Sequence, residues 1–212
     1  MAQTVLDILK KVGAVITDDH FVYTSGKHGS VYVNKDAVYP HTKETAQIGK
    51  MFAEIFKNID IDVVAAPALG GIILSQWTAY YLSKLKRKEI LGVYTEKGPD
   101  KTMIFTRGYD KLIKGKKILV IEDLTTTGGS VTKVIDVVRG TGGKVVGVGV
   151  MVNRVPELVN AKMLGVPKFE ALGVVKASAI DVVDCPLCKK NIPINIIVGH
   201  GKKYLEQLQK KS

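Results

Sequence analysis

Apolar residues gather along this chain in short unbroken runs, and between those runs they recur at intervals of three and four. Ile118-Leu119-Val120-Ile121 is the clearest run. A strand covered on both faces shows such a run and no alternation, so 118–121 is expected to be a buried parallel strand. Segments 62–66, 90–94, 145–152 and 169–175 also read as strands. In the intervening stretches the period changes. Ile48, Met51, Phe52, Ile55 and Phe56 mark one helical face, and Val131, Val134, Ile135 and Val138 mark another that begins near Ser130. Val5, Ile8, Leu9 and Val12 give the amino terminus an amphipathic pattern. Such alternation predicts an α/β fold, a mostly parallel open sheet flanked by helices and joined by right-handed crossovers. With no internal repeat, low-complexity tract or linker, the 212 residues suit a single domain over 1–212.

The polar residues that follow 118–121 change the picture from fold to chemistry. Glu122 and Asp123 come directly after the run, at the carboxyl end of the strand, the edge where open α/β sheets bind ligands. Thr125-Thr126-Thr127-Gly128-Gly129-Ser130 comes next. Its glycines allow positive φ and close backbone approach, its hydroxyls donate, and the helix start beyond offers free N–H groups and a positive dipole end to an anion. No lysine follows the glycines, so this is no GxxxxGK[ST] nucleotide loop, and the acidic pair would repel a phosphate laid directly on it. Carboxylates accept from hydroxyls. A ligand with a phosphate at one end and a vicinal diol at the other, a ribose 5-phosphate, satisfies both halves.

Residues 118–130 resemble the 5-phosphoribosyl 1-pyrophosphate (PRPP) signature of the type I phosphoribosyltransferases: apolar strand, two acidic residues, small-residue phosphate loop. The resemblance implies that family's sheet with a small hood built from N-terminal and C-terminal segments. It also implies PRPP contacts from Glu122, Asp123, Leu124, Thr125, Thr126, Thr127, Gly128, Gly129 and Ser130, with Asp123 catalytic. Mg²⁺ would be bound mainly through PRPP, because that ion keeps its waters and takes substrate oxygens. No dedicated metal site in the protein is assigned.

The segment Phe21-Val22-Tyr23-Thr24-Ser25-Gly26-Lys27-His28-Gly29-Ser30-Val31-Tyr32-Val33-Asn34 narrows the resemblance to the orotate phosphoribosyltransferases. In that family it lies over the base, so Tyr32 and Val33 are expected to line the orotate pocket and Ser25-Gly26 to form a tight turn. Thr24 stands where the family usually has lysine, with Lys27 three residues on. Arg154 follows the run 145–152 and so reaches the same edge as the acidic pair; its fork suits a carboxylate, which orotate carries and uracil or a purine does not. Thr126 is its expected partner on the base. Leu69, Gly70 and Gly71 occupy the place of the pyrophosphate loop, with Gly70 in place of the usual lysine. Segment 94–108 occupies the place of the mobile catalytic loop, which in the family reaches into the neighbouring subunit of a homodimer. There Lys97 matches a PRPP lysine, and Lys101 and Arg107 are the residues expected to stabilise departing pyrophosphate, although the family's downstream histidine is missing.

Charge and cysteine content refine the partners. Lys and Arg number 31 against 20 Asp and Glu, a net +11. The lysines are dispersed in pairs without aromatic interleaving, so a polyanionic small substrate explains them more simply than nucleic acid does. No apolar run reaches membrane-spanning length and the start lacks a signal-peptide layout, so a cytoplasmic protein is expected. Cys185 and Cys188, the only cysteines, exclude a disulfide framework and fit half a zinc knuckle, for which His200 is the only histidine nearby in sequence. A purine phosphoribosyltransferase, and a non-catalytic regulator that senses PRPP or a nucleotide and binds nucleic acid, stay open beside the orotate reading.

Overall fold

The computed structural model describes residues 3–176 and 178–209, less the side chain of Lys101. The amino-terminal elements are α1 (Val5–Lys11), the two-residue strands β1 (Val15–Ile16), β2 (Phe21–Val22), β3 (His28–Gly29) and β4 (Tyr32–Val33), and helix α2 (Thr42–Phe56). Then come β5 (Val63–Pro67), α3 (Gly70–Lys86), β6 (Leu91–Lys97), β7 (Met103–Ile104), α4 (Asp110–Ile113), β8 (Lys117–Thr125), α5 (Gly129–Gly140) and β9 (Lys144–Asn153). The chain ends with α6 (Ala161–Leu164), β10 (Phe169–Val174), α7 (Pro186–Lys189) and α8 (Gly201–Gln209).

Contacts divide the chain into two compact units, one of Met1–Ile8 and Val38–Val175, the other of Leu9–Ala37 and Lys176–Ser212. The larger holds a six-stranded sheet in the order β10-β9-β8-β5-β6-β7. Every pairing in it is parallel except β6 with the short β7. All five expected strands are present, each within a few residues of its predicted bounds. β5 and most of β8 and β9 are buried along their length, whereas β6 and β10, nearer the sheet's edges, are mostly half-buried. Val131, Val134, Ile135 and Val138 of α5 pack with Val63, Ile118, Val120 and Val148 in one apolar cluster. Ile48, Phe52 and Phe56 form the buried face of α2, as their spacing predicts.

The smaller unit contains two antiparallel pairs. β1 pairs with β4, Val15 opposite Val33 and Ile16 opposite Tyr32. β2 pairs with β3 around a turn in which the Gly26 N–H donates to the Tyr23 carbonyl at 2.9 Å, and Gly26 takes φ +80°. Ser25-Gly26 is thus the tight turn expected. The expectation for the cysteine pair needs correction: His200 is hydrogen-bonded through Nε2 to Thr24 Oγ1 at 3.0 Å, and the histidines beside Cys185 and Cys188 are His20 and His28.

Candidate active site

Register in the larger unit sets the site. Glu122 of β8 lies opposite Val150, and Thr125 opposite Asn153, the last residue of β9. The Arg154 N–H donates to the Thr125 carbonyl at 2.9 Å, so Arg154 begins one residue past the strand at the carboxyl edge that also carries Asp123. Glu122 and Asp123 are buried, at 5% and 3% exposure, and their carboxylates are held by local donors. The Asp123 N–H donates to Glu122 Oε1 at 3.0 Å, the Leu124 N–H to Asp123 Oδ1 at 2.6 Å, and the Tyr39 hydroxyl to Asp123 Oδ2 at 3.0 Å. Charge-assisted bonds of this kind fix the side chains before a ligand arrives. Tyr39 escapes a reading of the sequence because it stands in a polar turn outside any periodic segment.

The phosphate loop follows at once. Thr125 is buried and its Oγ1 accepts the Gly128 N–H at 3.1 Å, which folds the loop back on the strand end. Gly128 caps α5 at φ +79°, and a Cβ there would lie 3.0 Å from Met163 Cε, so both backbone angle and space call for glycine. Thr126, Thr127, Gly129 and Ser130 are left exposed around the start of α5. That start has no side-chain cap, so its N–H groups are available to an anion.

On the neighbouring strand, the peptide between Ala68 and Leu69 is cis, and the Ala68 N–H donates to the Thr95 carbonyl at 2.8 Å. Leu69 is 83% exposed, and α3 starts at Gly70 without a side-chain cap. A Cβ on Gly71 would lie 2.8 Å from that of Ala66 and 3.2 Å from the Ile121 carbonyl, which ties this turn closely to β8. Segment 94–108 is not an open loop. It folds into a hairpin in which Lys97 of β6 pairs with Met103 of β7. Glu96 accepts from the Thr106 hydroxyl and from Arg107 Nη2, the latter at 3.1 Å, and these bonds hold its carboxyl below the usual range. Arg107 is thereby engaged within the hairpin; Lys97 is exposed, and the Lys101 side chain lies outside the described part. Tyr32 and Val33 belong to the smaller unit, on β4, where the Tyr32 ring lies 5.3 Å from that of Phe21.

Comparison with known proteins agrees with this geometry. The phosphoribosyl transferase domain family matches residues 34–163. A relative named orotate phosphoribosyltransferase, from Caldanaerobacter subterraneus subsp. tengcongensis, is 36% identical over 91% of this chain and 94% of its own. The chain belongs to the orotate phosphoribosyltransferase family. The crystal structure of the family member from Aeropyrum pernix superposes with TM-score 0.63 at 25% identity, covering 81% of this chain and 93% of that one. The orotate phosphoribosyltransferase of Mycobacterium tuberculosis H37Rv, solved in complex with PRPP, shares the fold with TM-score 0.59 at 20% identity, over 82% of this chain and 92% of its own.

Proposed function

We infer that this protein transfers the ribose 5-phosphate of PRPP to orotate, giving orotidine 5′-monophosphate and pyrophosphate, as a pentosyltransferase of pyrimidine nucleotide synthesis. The observation that carries the inference is the strand register that sets the Glu122-Asp123 pair, the loop from Thr125 to Ser130 and Arg154 on one sheet edge. In this reading the carboxylates accept from the ribose hydroxyls and the loop N–H and hydroxyl groups take the 5-phosphate. Arg154, with Thr126, grips the orotate carboxylate. Tyr32 and Val33 line the base, and both units serve one phosphoribosyltransferase domain. Backbone N–H groups at Leu69, Gly70 and Gly71 meet the pyrophosphate, since turns of this kind bind anions without a side-chain charge.

The reaction displaces pyrophosphate from the anomeric carbon as the ring nitrogen of orotate arrives. Positive charge builds on the ribose in an oxocarbenium-like transition state. Asp123, already oriented by Tyr39 and the Leu124 N–H, stabilises that charge without reorganising. Lys97 and Lys101 neutralise the leaving group, and holding both substrates in line supplies much of the remaining acceleration. The donor set at this edge, carboxylate and hydroxyl oxygens, suits a hard cation, and Mg²⁺ held mainly by PRPP would offset diphosphate charge.

Among the described residues, no helix is long and apolar enough to cross a membrane. Both substrates are dissolved anions, and the cytoplasm is the compartment that fits them. A homodimer with shared sites fits the family, and α3 offers a face for it: Ile73 and Tyr80 are exposed, and Tyr80 stands edge-on to Trp77 at 5.7 Å.

The test is the loss of orotate absorbance when purified protein meets PRPP and Mg²⁺, with adenine, guanine, hypoxanthine and uracil run in parallel. Turnover of orotate alone is expected. Turnover of a purine instead would remove Arg154 as a carboxylate clamp, and silence with every base would favour a binding protein that senses PRPP.

A further inference from the structure

The smaller unit contains a cluster that the transferase reaction does not use. His20, His28, Cys185 and Cys188 each direct one ligand atom to a common point, and those four atoms lie within 4.8 Å of one another. Their placement follows from local structure. Val22 of β2 is opposite His28 of β3, so His20, two residues before Val22, shares the face of the hairpin that carries His28. Cys185 caps α7 and Cys188 lies one turn on, the Lys189 N–H donating to the Cys185 carbonyl at 3.1 Å. That short helix brings both sulfurs to the same side.

The distances are those of a coordination shell. Cys185 Sγ and Cys188 Sγ are each 3.7 Å from His20 Nε2, Cys188 Sγ is 3.3 Å from His28 Nδ1, and His20 Nε2 is 2.8 Å from His28 Nδ1. A tetrahedron with metal–sulfur bonds of about 2.3 Å and metal–nitrogen bonds of about 2.0 Å has edges of roughly 3.3 to 3.8 Å. Those three sulfur–nitrogen edges therefore fit as they stand, the two nitrogens need to part by about half an ångström, and the remaining pairs lie within 4.8 Å. The second shell is in place for His20, whereas His28 Nε2 is buried without a hydrogen-bond partner. His20 Nδ1 lies 2.7 Å from the Ile192 carbonyl, a contact that requires the proton on Nδ1 and leaves the Nε2 lone pair facing the cluster.

We propose that His20, His28, Cys185 and Cys188 form a structural zinc site that fastens the β2–β3 hairpin to the C-terminal segment. Two thiolates and two imidazoles select a borderline-soft tetrahedral ion, and four protein ligands leave no open position for catalysis. Binding expels both thiol protons to solvent, so the two thiolate charges balance the ion. The segment needs such a fastening. Among the described residues of its stretch from Lys176 onward, Cys185 is the only buried apolar side chain, while Val183 and Ile197 are 75% and 89% exposed. A stretch that buries so little apolar surface depends on a cross-link or a metal for order.

The decisive experiment is elemental analysis of the untagged full chain after exhaustive dialysis, together with cobalt substitution. Close to one zinc per chain is expected, and the cobalt form should show a thiolate-to-metal charge-transfer band with the strong visible bands of tetrahedral Co²⁺. Cys188→Ser and His20→Ala should lose the metal, while His200→Ala keeps it. Zinc at background level after reconstitution would overturn the proposal. So would a cobalt spectrum without the thiolate band, or a Cys185–Cys188 disulfide in the native protein. The wild-type cobalt spectrum decides the matter even where a variant fails to fold.

Discussion

Asp123 has both oxygens engaged, by the Leu124 N–H and by the Tyr39 hydroxyl, so its role can be separated from that of its support. Asp123→Asn keeps shape and removes charge; kcat should fall by roughly a hundredfold, the order seen when one group that stabilises a charged transition state is removed. Tyr39→Phe removes a bond to a buried charged acceptor, worth about 1.5–3 kcal/mol, and should lower kcat/KM for PRPP about tenfold and Tm by a few degrees. Steady-state kinetics with a melting curve for each variant checks both. Arg154→Ala acts on the other substrate. Losing a bidentate charged contact should raise KM for orotate by about ten- to a hundredfold with a smaller effect on KM for PRPP. Equal rises for both substrates would count against a carboxylate clamp.

At the scale of elements, the turn from β8 into α5 is set by Gly128, whose left-handed backbone no larger residue adopts cheaply and whose missing Cβ leaves room for Met163. Gly128→Ala should destabilise the fold by about 1–2 kcal/mol and weaken PRPP binding, read from urea unfolding and from KM in the same preparation. The sequence makes this element legible because a strand buried on both faces, an acidic pair and a small-residue turn each leave a compositional mark within a few positions. The five long strands and α2 are legible for the same reason: burial imposes a period. What lies outside that reach has a physical explanation too. Strands β1 to β4 and β7 are two residues long, too short for any period. Segment 94–108 reads as a loop since its hairpin is held by Glu96 bonding to Thr106 and Arg107, polar contacts that no periodicity reports. The His20 and Cys185 side chains meet across 165 positions, a distance at which spacing carries no signal.

For the larger unit as a whole, binding chemistry and much of its charge pairing lie at opposite edges of one sheet. At the amino edge, Asp62 precedes β5, accepts from Lys88 Nζ at 2.6 Å and from the Lys117 N–H at 3.0 Å, and has its pKa lowered by those bonds in that order. Asp60 takes Lys117 Nζ and is lowered likewise, while Asp62 raises the pKa of Lys88. The signs give a window. A carboxylate whose folded pKa is depressed contributes stability above its unfolded value, about 3.9, and loses it as pH falls through the lower folded value. A lysine whose folded pKa is raised contributes below its unfolded value, about 10.4, and loses it as pH rises beyond. The paired edge should therefore be at full strength from about pH 5 to pH 9 and fail first in acid. Asp62→Asn should lower Tm at neutral pH by about 2–4 °C. The gap between variant and parent should narrow as pH falls below about 4 and through the lower folded value, because protonation removes from the parent what the substitution has already removed from the variant. Since Asp62 is at the far end of the strands from Asp123 and Arg154, kcat and both KM values at neutral pH should be unchanged. Calorimetry across that pH range, with kinetics at its neutral end, tests whether stability and catalysis divide along the strand direction as the register implies.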